Sequence, residues 1–253
     1  MEEQGIALAK SRRLKMWAYG LALAASFGAP SLVLAAKLAI VIDDLGYQRM
    51  PAALSALPPQ VSISILPDTP YDRATSKLAH QQERDVLLHM PMEPLHRAPL
   101  EMATLTREMD QQTLQNVLRW GLERVPDAIA VNNHMGSALT QSPQAMDWVM
   151  EVLAEQGLFF LDSRTSANSV ALERARQQNV PALRRHVFLD HLSTEKFVNQ
   201  QLSRAVRQAK KNGYAIAIGH PYPVTLNVLN QVLPTLEHQG IQLVRLSELT
   251  PSS

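Results

Sequence analysis

Cysteine is absent from all 253 residues, which excludes disulfides, thiolate metal sites and cysteine nucleophiles together. The fold must then rest on its core, and a hydrophobic fraction of 46% supplies one large enough for a domain. Charge of one sign is lacking too. With 24 Lys and Arg against 23 Asp and Glu, no global field draws the protein to nucleic acid. The chain has no internal repeat and no low-complexity tract. Neither a Gly-rich phosphate cradle nor a basic cluster lies near the ends of its apolar runs, which argues against a metal-dependent phosphoesterase.

Long apolar runs are also scarce, and the one at the amino end has a particular setting. Lys10, Arg12, Arg13 and Lys15 precede an apolar stretch over residues 16–27, followed by Gly28, Pro30 and small residues up to Ala36. This is the order of a signal peptide, with a cleavage site at Val33-Leu34-Ala35. The stretch is short for a membrane span of about 20 residues. Residues 1–35 are therefore expected to be a signal peptide, the alternative being an uncleaved N-terminal anchor and the only membrane contact. Residues 36–253 form the expected mature domain, exported to the periplasm or cell envelope.

Past residue 36, short apolar runs alternate with segments of helical period. Strands are expected at 38–43, 61–66, 85–89, 128–132, 158–162, 186–189, 214–219 and 241–246. Ser142, Pro143 and Gly157 bracket one helix; Ser193 or Thr194 and Gly213 bracket another. A last helix near 225–238 is expected to kink or stop at Pro234. Residues 91–106, with three prolines and no period, read as a long loop over the third strand. Strands in series with helical crossovers indicate one α/β domain, a distorted (β/α) barrel of about seven to eight mostly parallel strands.

The acids and histidines fall at the carboxyl ends of these strands: Asp43-Asp44, His89, Asn133-His134, Asp162, Asp190-His191 and His220. In a parallel barrel those ends converge on one face, where such folds carry chemistry. Of two adjacent carboxylates, one can bind a cation while the other serves as base to an activated water; the plainer alternative is a helix-capping loop. His89 and His134 suit neutral metal ligands, and an Asp/His/His set leaves a position open for water. Taken singly, each is more often a buried histidine bonded to a loop carbonyl. His220, between Gly219 and Pro221, suits a general acid, or simply a tight turn. Asp162, Arg164 and Asp190 suit roles in orienting the histidines or holding substrate hydroxyls, or else cap helices. Tyr47, Tyr222 and Trp148 offer aromatic faces, but Trp148 sits in a helical stripe and reads as core, and none is assigned a contact.

Five segments carry a resemblance: Ile-Asp-Asp-Leu-Gly at 42–46, Leu-Leu-His-Met-Pro-Met-Glu-Pro at 87–94, Asn-Asn-His-Met-Gly-Ser at 132–137, Phe-Leu-Asp-Ser-Arg at 160–164 and Gly-His-Pro-Tyr-Pro at 219–223. In this order they resemble the motif series of the divergent polysaccharide deacetylases. The resemblance implies a distorted (β/α) barrel that removes N- or O-acetyl groups from glycans, peptidoglycan among them, with a divalent metal, expected to be zinc. It implies Asp43 as catalytic base, Asp44 as metal ligand and His220 as general acid. His89 and His134 are chosen as the remaining ligands, with a backbone N–H near Asn133 to steady the intermediate. The better-known deacetylases place two metal histidines on one His-x-x-x-His segment, whereas Met90-Pro91-Met92-Glu93 follows His89 here. Glu93 is a candidate substitute. That departure also suits a second reading: an inactive deacetylase-like envelope protein that binds a glycan or a protein partner.

Overall fold

A computed structural model describes residues 35–250. The basic and apolar segment read as a signal peptide or anchor lies outside the described residues. Among the described residues, no helix is long and apolar enough to cross a membrane.

Nine strands form one sheet: β1 (Ala36–Leu45), β2 (Ser62–Ile65), β3 (Val86–Met92), β4 (Ala128–Met135), β5 (Phe159–Asp162), β6 (Ala182–Arg184), β7 (Val187–Phe188), β8 (Tyr214–Gly219) and β9 (Ile241–Leu243). Eight follow the order β6-β5-β4-β3-β2-β1-β8-β7, and every pairing is parallel. The ninth, β9, pairs with the start of β1 on the edge that β2 occupies further along. The sheet curls into a half-barrel that stays open between β6 and β7, as the sequence led us to expect of a distorted barrel. The helices are α1 (Ala52–Ser55), α2 (Asp72–Gln81), α3 (Gln111–Arg124), α4 (Pro143–Gln156), α5 (Ala171–Gln177), α6 (Glu195–Asn212) and α7 (Pro223–Val232).

Parallel strands covered on both faces read as continuous apolar runs, and their side chains divide by the period of two. In β1, Leu38, Ile40 and Ile42 join the larger core with the helices. Ala39 and Val41 instead meet Leu87, Ala130, Leu161, Ile216 and Ile218 in a smaller cluster that fills the barrel. Above that plug, the next inward residues of the same strands form the site.

The local signals behave as their chemistry requires. Ser142 Oγ accepts from Ala145 N at 3.3 Å to open α4, and Thr194, rather than Ser193, caps α6 through Phe197 N at 3.3 Å. The last helix stops at Val232, and Pro234 falls in a 3₁₀ turn. Two expectations need correction. The segment 91–106 is not loop throughout, because β3 runs through Pro91 to Met92, and Met92 bridges to Leu105. A ninth strand, β6, escaped notice because its three residues include one buried position.

Candidate metal centre

Period-two alternation decides which side chains reach the site. Val41 and Asp43, Leu87 and His89, Ala130 and Asn132 and His134, and Ile218 and His220 each continue an inward row past the barrel core. Asp44 should point the opposite way from Asp43. It does not, because Asp44 adopts a left-handed backbone with φ of 59°, where the β1–β2 register slips between Ile42 and Leu45. An L-residue there costs about 1–2 kcal/mol, least for Asp and Asn. The flip brings two successive carboxylates into one site.

Asp44 Oδ1 lies 3.1 Å from His89 Nε2 and 3.0 Å from His134 Nδ1. The two nitrogens are 3.2 Å apart. Asp44 Oδ1 is buried, yet no donor meets it with hydrogen-bond geometry. A buried carboxylate oxygen without a donor, facing two imidazole nitrogens, fits a cation better than it fits hydrogen bonding. Ligands about 2.0–2.1 Å from a tetrahedral zinc stand about 3.3 Å from one another, so the three atoms need shifts of only a few tenths of an ångström. Asp44, His89 and His134 thus fit a divalent ion and leave its remaining positions to water or substrate.

His89, a candidate ligand, and Asp43 are oriented by a residue the sequence reading passed over. Asn132 Nδ2 donates to Asp43 Oδ1 at 2.9 Å, while its Oδ1 faces His89 Nδ1 at 2.9 Å and also accepts from the Ser64 hydroxyl. An amide oxygen only accepts, so His89 Nδ1 carries a proton, and Nε2 is the atom turned to Asp44, free to ligate a metal when it carries no second proton. The neighbouring Asn133, named from the sequence, also lines the cleft, but its side chain bonds backbone rather than Asp43 or the histidines. Its Oδ1 accepts from Ser163 N and its Nδ2 donates to Met135 O, at 2.9 and 2.7 Å. The parity of Ala130 could have distinguished the two asparagines.

On the opposite side, His220 Nδ1 is 2.9 Å from Asp190 Oδ1, and His220 N and Thr225 Oγ1 donate to Asp190 Oδ2 at 2.7 and 2.8 Å. The Asp190 side chain is fully buried. Gly219 makes room for it: a Cβ there would stand 3.2 Å from both Asp190 Oδ2 and Thr225 Cγ2. His220 Nε2 is left facing Asp44 Oδ2 at 3.5 Å.

Burial and neighbouring charge divide the titrating groups. Burial raises Asp43 above the usual carboxylate range, against the lowering pull of His89 and His220. Burial would raise Asp44 as well, but contacts with His134 and His89 outweigh it and hold Asp44 far below that range. Burial works to lower His89, and the attraction of Asp43 and Asp44 overcomes it, lifting His89 to about 9. In His220, burial is likewise outweighed by Asp190 and Asp44, and the net direction is up.

These groups line a cleft of about 460 Å³ that also takes in Arg164, Arg185 and His191. Arg164 lies on its wall in a left-handed backbone, φ 50°. Asp162 is not in the cleft wall: its Oδ1 accepts from Arg164 N at 2.7 Å and shapes the loop after β5. Glu93 is no ligand, because Arg107 engages both its oxygens, at 2.8, 3.0 and 2.9 Å. Trp148 packs against the core, as its helical stripe indicated.

A family model described as divergent polysaccharide deacetylase matches residues 40–250. The chain is 42% identical over 230 residues to the uncharacterized protein YibQ of Escherichia coli (strain K12), covering 90% of this chain and 72% of that one. Its fold is similar to the crystal structure of an uncharacterized protein from Agrobacterium tumefaciens C58, with TM-score 0.82, 24% identity, and 87% of this chain and 91% of that chain covered. A more distant likeness is to a mutant of a CE4 family pseudoenzyme with restored enzymatic activity, with TM-score 0.53, 13% identity and coverage of 85% and 67%. At those identities the solved structures speak to the fold alone.

Proposed function

The chain belongs to the divergent polysaccharide deacetylase family, and from that premise we propose that it is a metal-dependent hydrolase removing acetyl groups from an envelope polysaccharide or a related acetylated sugar. The observation that carries this reading is the convergence of Asp44 Oδ1, His89 Nε2 and His134 Nδ1 on one point, with Asp43 and the His220–Asp190 pair beside it. A divalent ion held there, zinc by the donor set, would polarise the acetyl carbonyl and acidify water. Asp43, kept basic by burial and steadied by Asn132, takes the proton from the attacking water. His220, in which Asp190 and Asp44 outweigh burial and favour the protonated form, gives its proton to the departing amine or alkoxide as the C–N or C–O bond breaks. Asp190 fixes His220 so that Nε2 faces the cleft. Acetate and the deacetylated sugar leave.

Export to the envelope accords with this substrate, and its support is the basic-then-apolar order of residues 10–27. The inactive-binder reading drew on the missing His-x-x-x-His segment; what supports the hydrolase against it is the approach of His134 Nδ1 to Asp44 Oδ1 and His89 Nε2, at 3.0 and 3.2 Å. The test is acetate release from peptidoglycan and acetylated oligosaccharides by the zinc-supplemented protein. Release is expected to vanish with chelator and in Asp43→Asn, which retains zinc, whereas Asp44→Ala loses both. One bound equivalent of zinc with no acetate from any substrate would refute the hydrolase.

A further inference from the structure

Charge is divided unevenly over this fold. Within residues 171–214, nine Lys and Arg stand against three acids, whereas the other described residues hold eleven against eighteen. One of the three acids, Asp190, is buried behind His220. A domain that is near neutral as a whole thus carries one strongly basic side.

That side is the outer face of α6. After Glu195 the helix has no acid, and Lys196, Arg204, Arg207, Lys210 and Lys211 are all exposed. Their helical spacing puts them on one stripe, about 22 Å long at 1.5 Å per residue. The opposite face, with Val198, Leu202, Ala205 and Ala209, is buried in the core and has no apolar surface left to offer. Among the described residues none of the five cations meets a carboxylate, although Arg107, Arg119, Arg124 and Arg174 each do. Lys210 and Lys211 complement the helix dipole at its C-terminal end, but Lys196, in the first turn, works against it.

The helix has no exposed aromatic ring on which a nucleic-acid base could stack. A line of basic side chains on a convex face suits a plane of negative charge, with each Lys or Arg near an anionic bilayer strengthening attraction about fivefold. The chain outside the described residues enters on the same side, because the apolar stretch at 16–27 leads into β1, where Lys37 N donates to Gly213 O at 2.9 Å at the end of the stripe. At its other end α6 begins at Thr194, three residues past His191 in the cleft wall. The stripe therefore runs along the side of the barrel and leaves the cleft mouth uncovered.

We propose that the outer face of α6 docks the protein on an anionic phospholipid surface, by charge and without insertion, so that the barrel lies on its side and the cleft opens along the membrane. This inference does not depend on the hydrolase reading.

The test is co-sedimentation of the full chain with vesicles of phosphatidylcholine, alone or with about 30% phosphatidylglycerol. The apolar stretch at 16–27 can enter both vesicles, so the readout is the ratio of the two partition constants. Phosphatidylglycerol is expected to raise binding about tenfold or more, an effect that about 0.5 M salt removes. Arg204→Gln with Arg207→Gln should cut the ratio about tenfold, while Arg204→Lys with Arg207→Lys, which keeps the charge, should preserve it. Both positions are exposed, and Gln and Lys are good helix formers, so the fold is retained. A ratio near one would overturn the proposal, as would a ratio unchanged in the glutamine variant, which would assign it to Lys10, Arg12, Arg13 and Lys15. Tighter binding to duplex DNA than to the anionic vesicles would make the stripe a general polyanion site instead. A lipid-free dimer lost in the glutamine variant would make it a contact with the acidic side of a second copy.

Discussion

Raising the pH of the metal-free protein should destabilise it, because its folded state holds a proton on His89 that the unfolded chain releases. His89 is buried, and Asp43 and Asp44 lift it from the ordinary 6.5 to about 9 despite the opposing effect of burial. A histidine raised in the folded state contributes its full stability below about 6.5 and loses it as pH climbs through the folded value. At about 1.4 kcal/mol per pH unit, the window from 6.5 to 9 corresponds to about 3 kcal/mol. Asp43 and His220 are also raised and add the same sign; Asp44 is lowered, so its contribution is lost only as pH falls below the ordinary carboxylate range. The assay is urea unfolding in chelator at pH 6, 7.5 and 9. The midpoint should fall steadily, and zinc should flatten or invert the trend, since the metal takes the Nε2 lone pair that the proton otherwise occupies. A metal-free midpoint that stays level or rises between pH 6.5 and 9 would refute the placement of His89 between two carboxylates.

Three further outcomes are expected. Asn132→Ala strands Asp43, His89 and Ser64 at once; it should cost about 2–4 kcal/mol in urea unfolding and weaken zinc by about 10–100-fold in chelator competition. Gly219→Ala should cost about 1–3 kcal/mol by thermal unfolding, because the new methyl meets Asp190 and Thr225 at 3.2 Å. Asp190→Asn removes the charge that raises His220, so the pH at which acetate release declines on the alkaline side should move down. An unchanged profile would remove His220 from the acid's role.

Most of the architecture was legible because parallel strands covered on both faces are written as apolar runs, and α4 and α6 carry their caps in the sequence. What escaped was whatever depends on partners distant along the chain. Pro91 breaks the appearance of a strand, yet β3 continues through it alongside β4, with Pro91 in register with His134. β6 is too short to show a pattern, and its place comes from pairing with β5. At the site, the acids and histidines were visible at strand ends, but the choice between Asn132 and Asn133 needed the inward row of β4. The Asp44 flip is a backbone event that no residue pattern announces, although Asp before Leu-Gly tolerates it.

That flip, together with the offset between two strands, explains how this chain can bring an Asp/His/His set that fits a metal together without a His-x-x-x-His segment. On a helix, residues i and i+4 share a face; in a parallel sheet, the equivalent is a pair of inward positions on neighbouring strands. His89 is in register with Asn132, so His134, two residues further along β4, returns to the same face one step beyond. The intervening Asn132 then becomes the residue that orients both His89 and Asp43. The two nitrogens end 3.2 Å apart, but they would have no anion to share were Asp44 to follow ordinary strand alternation. Relaxing Asp44 to an extended backbone would thus dismantle the ligand set while leaving every one of its residues in the sequence.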